Sequence, residues 1–178
     1  SHSGQGAKRW RDDRNSMAAR TAFERQAKQG TNRRRLGQRA LLVIACFDAS
    51  ALIYLIEGKQ PFAGKVRREL STITKKHPEL VSALSRMTWL ECRVGPMKAN
   101  DLTTLAAYDA FFGRPDLLWV ELTRDVVELA AAIRVKHGLR TPDALQAASC
   151  LQLGSDHIFL TGDKAFRRVH GLNVQVVG

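Results

Sequence analysis

Apolar runs and amphipathic stretches alternate along residues 41–178, and each alternation predicts a strand followed by helix. Residues 41–47 (LLVIACF) are continuously apolar, the pattern of a central parallel strand buried on both faces. Residues 49–56 read as a helix that ends before Gly58. Residues 61–76 read as a second helix, with Phe62, Val66, Leu70 and Ile73 three and four positions apart. A short strand is expected at 79–84, helices at 86–98 and 101–112 joined near Asn100, and a strand at 117–120. Residues 123–137 set Val126, Val127, Ala130, Ala131 and Ile133 inward and stop at Gly138. Residues 141–153 form another helix, closed by Gly154. Strands at 157–160 and 172–177 complete the pattern. Strands separated by helices predict an α/β fold, a parallel sheet with helices on both faces.

The first 40 residues break this rhythm. Trp10, Met17, Phe23 and Leu36 are their only large apolar side chains, too few to bury a core. This segment is expected to be disordered apart from a weak helix over 16–29, which divides the chain into a basic extension (1–40) and a folded domain (41–178). Charge follows the same boundary. The chain carries 28 Lys and Arg against 17 Asp and Glu, a net charge of +11. Most of the excess lies in the extension, where Lys8, Arg9, Arg33, Arg34 and Arg35 are among the basic residues. A basic arm attracts polyanions, nucleic acid above all, although a solvated arm with no fixed partner has the same composition.

Cysteine and hydropathy exclude other classes. Cys46, Cys92 and Cys150 are odd in number, far apart and set in apolar patterns, with no CxxC to hold zinc. Three buried thiols suit a reducing compartment, so a cytoplasmic location is expected. The longest apolar stretch, 40–56, has Asp48 at its centre, where a carboxylate is costly in lipid. No membrane association is expected.

The candidate chemistry is acidic. In open parallel sheets ligands bind beyond the carboxyl ends of the strands. Asp48 directly follows the first strand, and Asp163 follows HIFL through Thr161 and Gly162. Asp143 lies in the first turn of a helix opened by Thr141 and Pro142, and Glu91 in the helix containing MTWLECRV. Each has a structural explanation too. Asp143 complements a helix dipole, Glu91 completes a capping box from Thr88, and Asp163 suits a turn. Asp48 is the hardest to explain so, because an acid between LLVIACF and ALIYLI has no turn chemistry and is costly to bury without a partner. Four carboxylates on one edge repel one another, and a hard divalent ion with oxygen ligands, Mg²⁺ or Mn²⁺, relieves that repulsion. Such an ion can orient and deprotonate a water for attack on phosphorus.

Four blocks in order, FDASALIYLIEG, MTWLECRVGP, TPDALQAASC and FLTGDKAFRRV, resemble the acidic motifs of PIN-domain ribonucleases. More narrowly they resemble VapC-type toxins of toxin–antitoxin pairs. The resemblance covers about residues 43–177 and leaves the basic extension unmatched. It implies a three-layer α/β/α sandwich around a five-stranded, mainly parallel sheet. It implies that Asp48 and Asp143 hold the metal, that Glu91 and Asp163 complete the acidic pocket, and that Ser50 and Thr161 support it. The implied reaction is hydrolysis of RNA phosphodiesters to 5′-phosphate and 3′-hydroxyl ends. The implied partners are an RNA substrate, a cognate antitoxin and a second copy of the chain.

Arg93, Arg140, Lys164, Arg167 and Arg168 stand near these acids as candidates to guide a phosphate backbone, or merely to balance local charge. Rival chemistries lack their residues. An aspartyl phosphatase wants a second Asp where Ser50 stands, a receiver domain wants a paired acidic cluster, and a dinucleotide site wants a glycine-rich loop after the first strand. The remaining alternative is a non-catalytic nucleic-acid-binding module that uses its basic extension.

Overall fold

The computed structural model describes residues 42–178. The expectations for residues 1–40, and the start of the first strand at Leu41, lie outside the described residues. Five strands, β1 (Ile44–Phe47), β2 (Val81–Ser85), β3 (Leu117–Val120), β4 (His157–Thr161) and β5 (Val174–Val176), form one sheet in the order β3-β2-β1-β4-β5. Every pairing is parallel, so the sheet is wholly rather than mainly so. Helices α1 (Ala49–Ile56) and α2 (Phe62–Lys76) connect β1 to β2. Helices α3 (Arg86–Ala99) and α4 (Leu102–Phe112) connect β2 to β3. Helices α5 (Arg124–His137) and α6 (Thr141–Leu151) carry the chain across to β4 on the other side of β1.

The period of two along β1 divides the interior into two cores. Ile44 and Cys46 face a layer built from α5 and α6, in which Val126, Leu129, Ala130, Ile133, Ala147 and Ala148 pack with Phe159 and Phe166. Ala45 and Phe47 face the opposite layer, where Leu52 of α1, Val66 of α2, Cys92 of α3 and Tyr108 of α4 pack with Leu84 and Leu160. The result is an α/β/α sandwich with central strand β1 buried along its whole length. Both layers exclude water from the cysteines, and Cys46, Cys92 and Cys150 are buried free thiols.

Local signals set most of the boundaries. Ser85, Asp101 and Thr123 cap α3, α4 and α5 by accepting from backbone N–H groups three residues on. Gly138 ends α5 at φ 66°, a left-handed conformation that glycine adopts without a Cβ penalty. On α5, Val127 and Ala131 face outward, and Leu129 takes the inward place the sequence reading gave them. Strand β5 is shorter than expected because Leu172 turns into the α5–α6 core before the ladder begins. A 3₁₀ turn, Lys164–Arg168, follows β4 and was not foreseen. Among the described residues no helix is long and apolar enough to cross a membrane.

Candidate active site

The strand order places a topological switch between β1 and β4. From β1 the chain leaves toward β2, and from β4 toward β5, so the loops at their carboxyl ends part and leave a crevice. Asp48 stands at the end of β1 and Thr161-Gly162-Asp163 at the end of β4.

Asp48 is 5% exposed, and its carboxylate is held by short-range donors. Oδ1 accepts from the backbone N–H of Ser50 at 3.1 Å, and Oδ2 accepts from Ser50 Oγ at 2.6 Å and from Thr161 Oγ1. Asp48 thereby caps α1 as well as facing the crevice. Burial pushes its pKa above the ordinary carboxylate value. The Ser50 and Thr161 hydroxyls oppose that rise and the Asp143 charge adds to it. Ser50 Oγ also accepts the Gly162 N–H at 2.8 Å, and Thr161 Oγ1 accepts the Asp163 N–H at 3.0 Å. The two supporting hydroxyls therefore bind the β1 and β4 loops together across the crevice.

The other acids meet Asp48 from α3 and α6. Half-buried Glu91 has its pKa raised first by burial, then by the charges of Asp48 and Asp143. Asp143, on the first turn of α6, is paired with Arg140, whose Nε lies 2.9 Å from Oδ2 and Nη2 3.4 Å from Oδ1. The Arg140 charge also acts on Glu91 and Asp163. Asp163 is more exposed, and its Oδ1 accepts from Ala165 N–H at 2.7 Å to cap the 3₁₀ turn. Three predicted acids thus share one electrostatic neighbourhood, and Asp163 joins it through Arg140 and Thr161.

As they stand, these side chains do not form a ready cage. Among the described residues no group of three or more His, Cys, Asp or Glu is arranged to hold a metal ion. Their oxygens are engaged by other donors: Arg140 engages both oxygens of Asp143, Ser50 and Thr161 engage Asp48, and Gln146 engages Glu91. The donor set itself, all carboxylate oxygen under mutual repulsion, fits a hard divalent ion.

Gln146 escaped the sequence reading. It is 2% exposed on α6, one turn beyond Asp143. Its Oε1 accepts from Ala49 N–H at 2.8 Å and from Thr88 Oγ1 at 3.1 Å, and its Nε2 donates to Glu91 Oε2. Thr88 is engaged in this network rather than in a capping box. Ser85 caps α3, and Thr88 Oγ1 lies 3.1 Å from the Phe47 carbonyl. On α6, which begins at Thr141, the cap position is Arg140.

Other expectations resolve individually. Arg93 pairs with Asp109 and lies over the Trp89 ring. Arg168 bonds the carbonyls of Ala165 and His137. Glu57 accepts from Tyr108 Oη at 2.9 Å and pairs with Lys59. His157 is structural, with its ring nitrogens bonded to the Gly154 carbonyl and the Asn173 N–H.

Gly162 is where this site tolerates least. A Cβ there would lie 2.8 Å from Tyr54 Cε2 and 3.0 Å from Ser50 Oγ. The Tyr54 ring is stacked on Phe62 at 4.6 Å and cannot simply turn aside. Gly162→Ala is expected to cost about 1–3 kcal/mol, measured by urea denaturation, because overpacking must displace the ring or the hydroxyl that holds Asp48.

Comparison with known proteins agrees with this architecture. VapBC2 from Rickettsia felis, solved bound to a DNA fragment from its promoter, superposes with a TM-score of 0.60 at 15% identity, over 75% of this chain and 98% of that one. A toxin–antitoxin complex from Klebsiella pneumoniae gives 0.55 at 24% identity, over the same shares of the two chains. At such identities the likeness is one of fold. No curated protein matches the chain. The family description of the PIN domain matches residues 45–172, from within β1 to just before β5, and the chain belongs to the PIN domain family.

Proposed function

We propose that the protein is a divalent-metal-dependent endoribonuclease and the toxin of a toxin–antitoxin pair. PIN domains are generally nucleases. The observation that carries the reading is Asp48, a carboxylate buried at the switch point in the field of Asp143 and Glu91. Burial and the neighbouring acids make the charged form of this group costly, and a divalent cation offsets that cost. Asp48, Asp143, Glu91 and Asp163 would hold Mg²⁺ or Mn²⁺. When bound, the ion supplies charge neutralisation and activation of water for attack on phosphorus. Ser50 and Thr161 fix Asp48 in place. Water adds to phosphorus, the bond to the 3′ oxygen breaks, and 5′-phosphate and 3′-hydroxyl ends result.

The partner reading draws on the family resemblance and on the surface of α3. Trp89, Leu90, Val94 and Met97 are exposed there, on the helix that carries Glu91. An apolar surface beside the acids is suited to a protein that covers them, as an antitoxin would, or to a second copy of the chain.

The test is incubation of the purified chain with structured RNA and Mn²⁺, with and without chelator. Cleavage that stops on chelation is the expected result. RNA binding without cleavage, lost on deleting residues 1–40, would replace this reading with that of a binding module.

A further inference from the structure

Gln146 sits where three elements meet, and its orientation is fixed by chemistry. Ala49 N–H can only donate, so the amide atom 2.8 Å from it is the oxygen Oε1. Nε2 must then face Glu91, and it can only donate. Glu91 Oε2 is therefore obliged to accept. The same amide reaches the backbone on the far side of Asp48 through Thr88, whose hydroxyl lies 3.1 Å from both Gln146 Oε1 and the Phe47 carbonyl. The Thr88 hydroxyl has one proton to share between these two acceptors, so the direct tie is from the peptide after Asp48, and the one before it is reached through a shared bond. These bonds join positions 97, 58 and 55 residues apart, and every buried polar side-chain atom among the described residues has a partner.

We infer that Gln146 is the positioning residue of the acidic site, fixing the Glu91 carboxylate relative to Asp48 by donating one hydrogen bond from a buried, three-way-anchored amide. The inference rests on the nuclease reading for the purpose of the site. An apolar side chain of similar length would leave Glu91 free to choose its own rotamer. An acid at this position would keep the oxygen for Ala49 and Thr88 but turn an acceptor toward Glu91. Groups that orient metal-binding carboxylates typically matter about 10–100-fold in metal affinity.

The test is Mn²⁺ titration by calorimetry on the full chain and on Gln146→Met, Glu91→Gln and the double variant. Gln146→Met is expected to weaken Mn²⁺ binding about tenfold, and less than about twofold when Glu91 is already Gln, because the amide acts through that carboxylate. Equal losses in both backgrounds would reduce Gln146 to a packing residue and overturn the inference while leaving the metal site intact. A wild-type chain that binds no Mn²⁺ would overturn the nuclease reading and this inference together. Should Gln146→Met fail to fold, Gln146→Glu and its combination with Glu91→Gln decide the matter by thermal melting in chelator. The exchanged pair restores donor and acceptor, and is expected to recover at least half of the stability lost in Gln146→Glu. An exchanged pair no more stable than Gln146→Glu alone would sink the inference.

Discussion

Asp48→Asn is expected to lower the rate of metal-dependent RNA cleavage by about 1,000-fold, which corresponds to about 4 kcal/mol of lost transition-state stabilisation. The substitution removes a charge and almost nothing else. Asparagine has the same shape, its oxygen can accept the Ser50 N–H, and its amide can donate to the hydroxyls of Ser50 and Thr161, which accept as readily as they donate. The cap of α1 and the tie between the β1 and β4 loops therefore survive. What is lost is the negative charge at the centre of the crevice, the group that Asp143 and Glu91 repel and that a cation would neutralise. Single-turnover cleavage of a labelled RNA in Mn²⁺, with far-UV circular dichroism alongside, checks both halves. Retained cleavage within about tenfold of wild type would remove Asp48 from the chemistry. Loss of the fold would show that its capping role dominates.

The legibility of this site in the sequence varied with how its residues are held. Asp48 could be read because it interrupts two apolar runs, although its structural role as the cap of α1 could not. The sheet was legible for the same reason. β1 is buried on both faces and needs no alternation, so its apolar run is unbroken. Asp143 and Glu91 could be placed on helices but not toward one another, since that depends on α3 and α6 meeting over the carboxyl end of β1. Gln146 gave no signal at all. In the run ALQAAS a glutamine looks like any polar residue on a helix, and its value appears only when Ala49, Thr88 and Glu91 arrive from distant parts of the chain. The capping-box reading of Glu91 failed because the helix begins three residues earlier than that pattern requires, at Ser85. The 3₁₀ turn was missed because five residues with one buried apolar side chain, Phe166, carry no periodicity.

The second large effect concerns stability, pH and metal together. In chelator, Asp48→Asn is expected to be more stable than the wild type at neutral pH, with the order reversed in Mn²⁺. The folded-state pKa of Asp48 is raised above its ordinary value of 3.8, chiefly by burial. The folded chain thus holds a proton that the unfolded chain has released, and stability falls as pH rises. The favourable contribution is whole below the ordinary carboxylate range and is lost as pH climbs through the raised value. Glu91 contributes in the same direction. His157 works the other way, because burial lowers its pKa and so stability is lost as pH falls. His157 is common to wild type and variant, whereas Glu91 loses the repulsion of the Asp48 charge, so the difference between the two melting curves reads Asp48 together with its coupling to Glu91. That difference should be near zero below the ordinary carboxylate range and grow toward pH 7, because only the wild type must carry the buried charge. Mn²⁺ inverts the order, since an ion that binds only the folded state stabilises it by about 2.7 kcal/mol at a hundred times its dissociation constant. For a chain of this size that is a rise in Tm of about 5–10 °C. The variant, lacking the central carboxylate, should gain little. Differential scanning calorimetry from about pH 3 to 8, in chelator and in Mn²⁺, reads all four curves. Wild type and Asp48→Asn responding alike to Mn²⁺ would mean that the buried carboxylate is stabilised by its hydroxyls alone and has no cation to wait for.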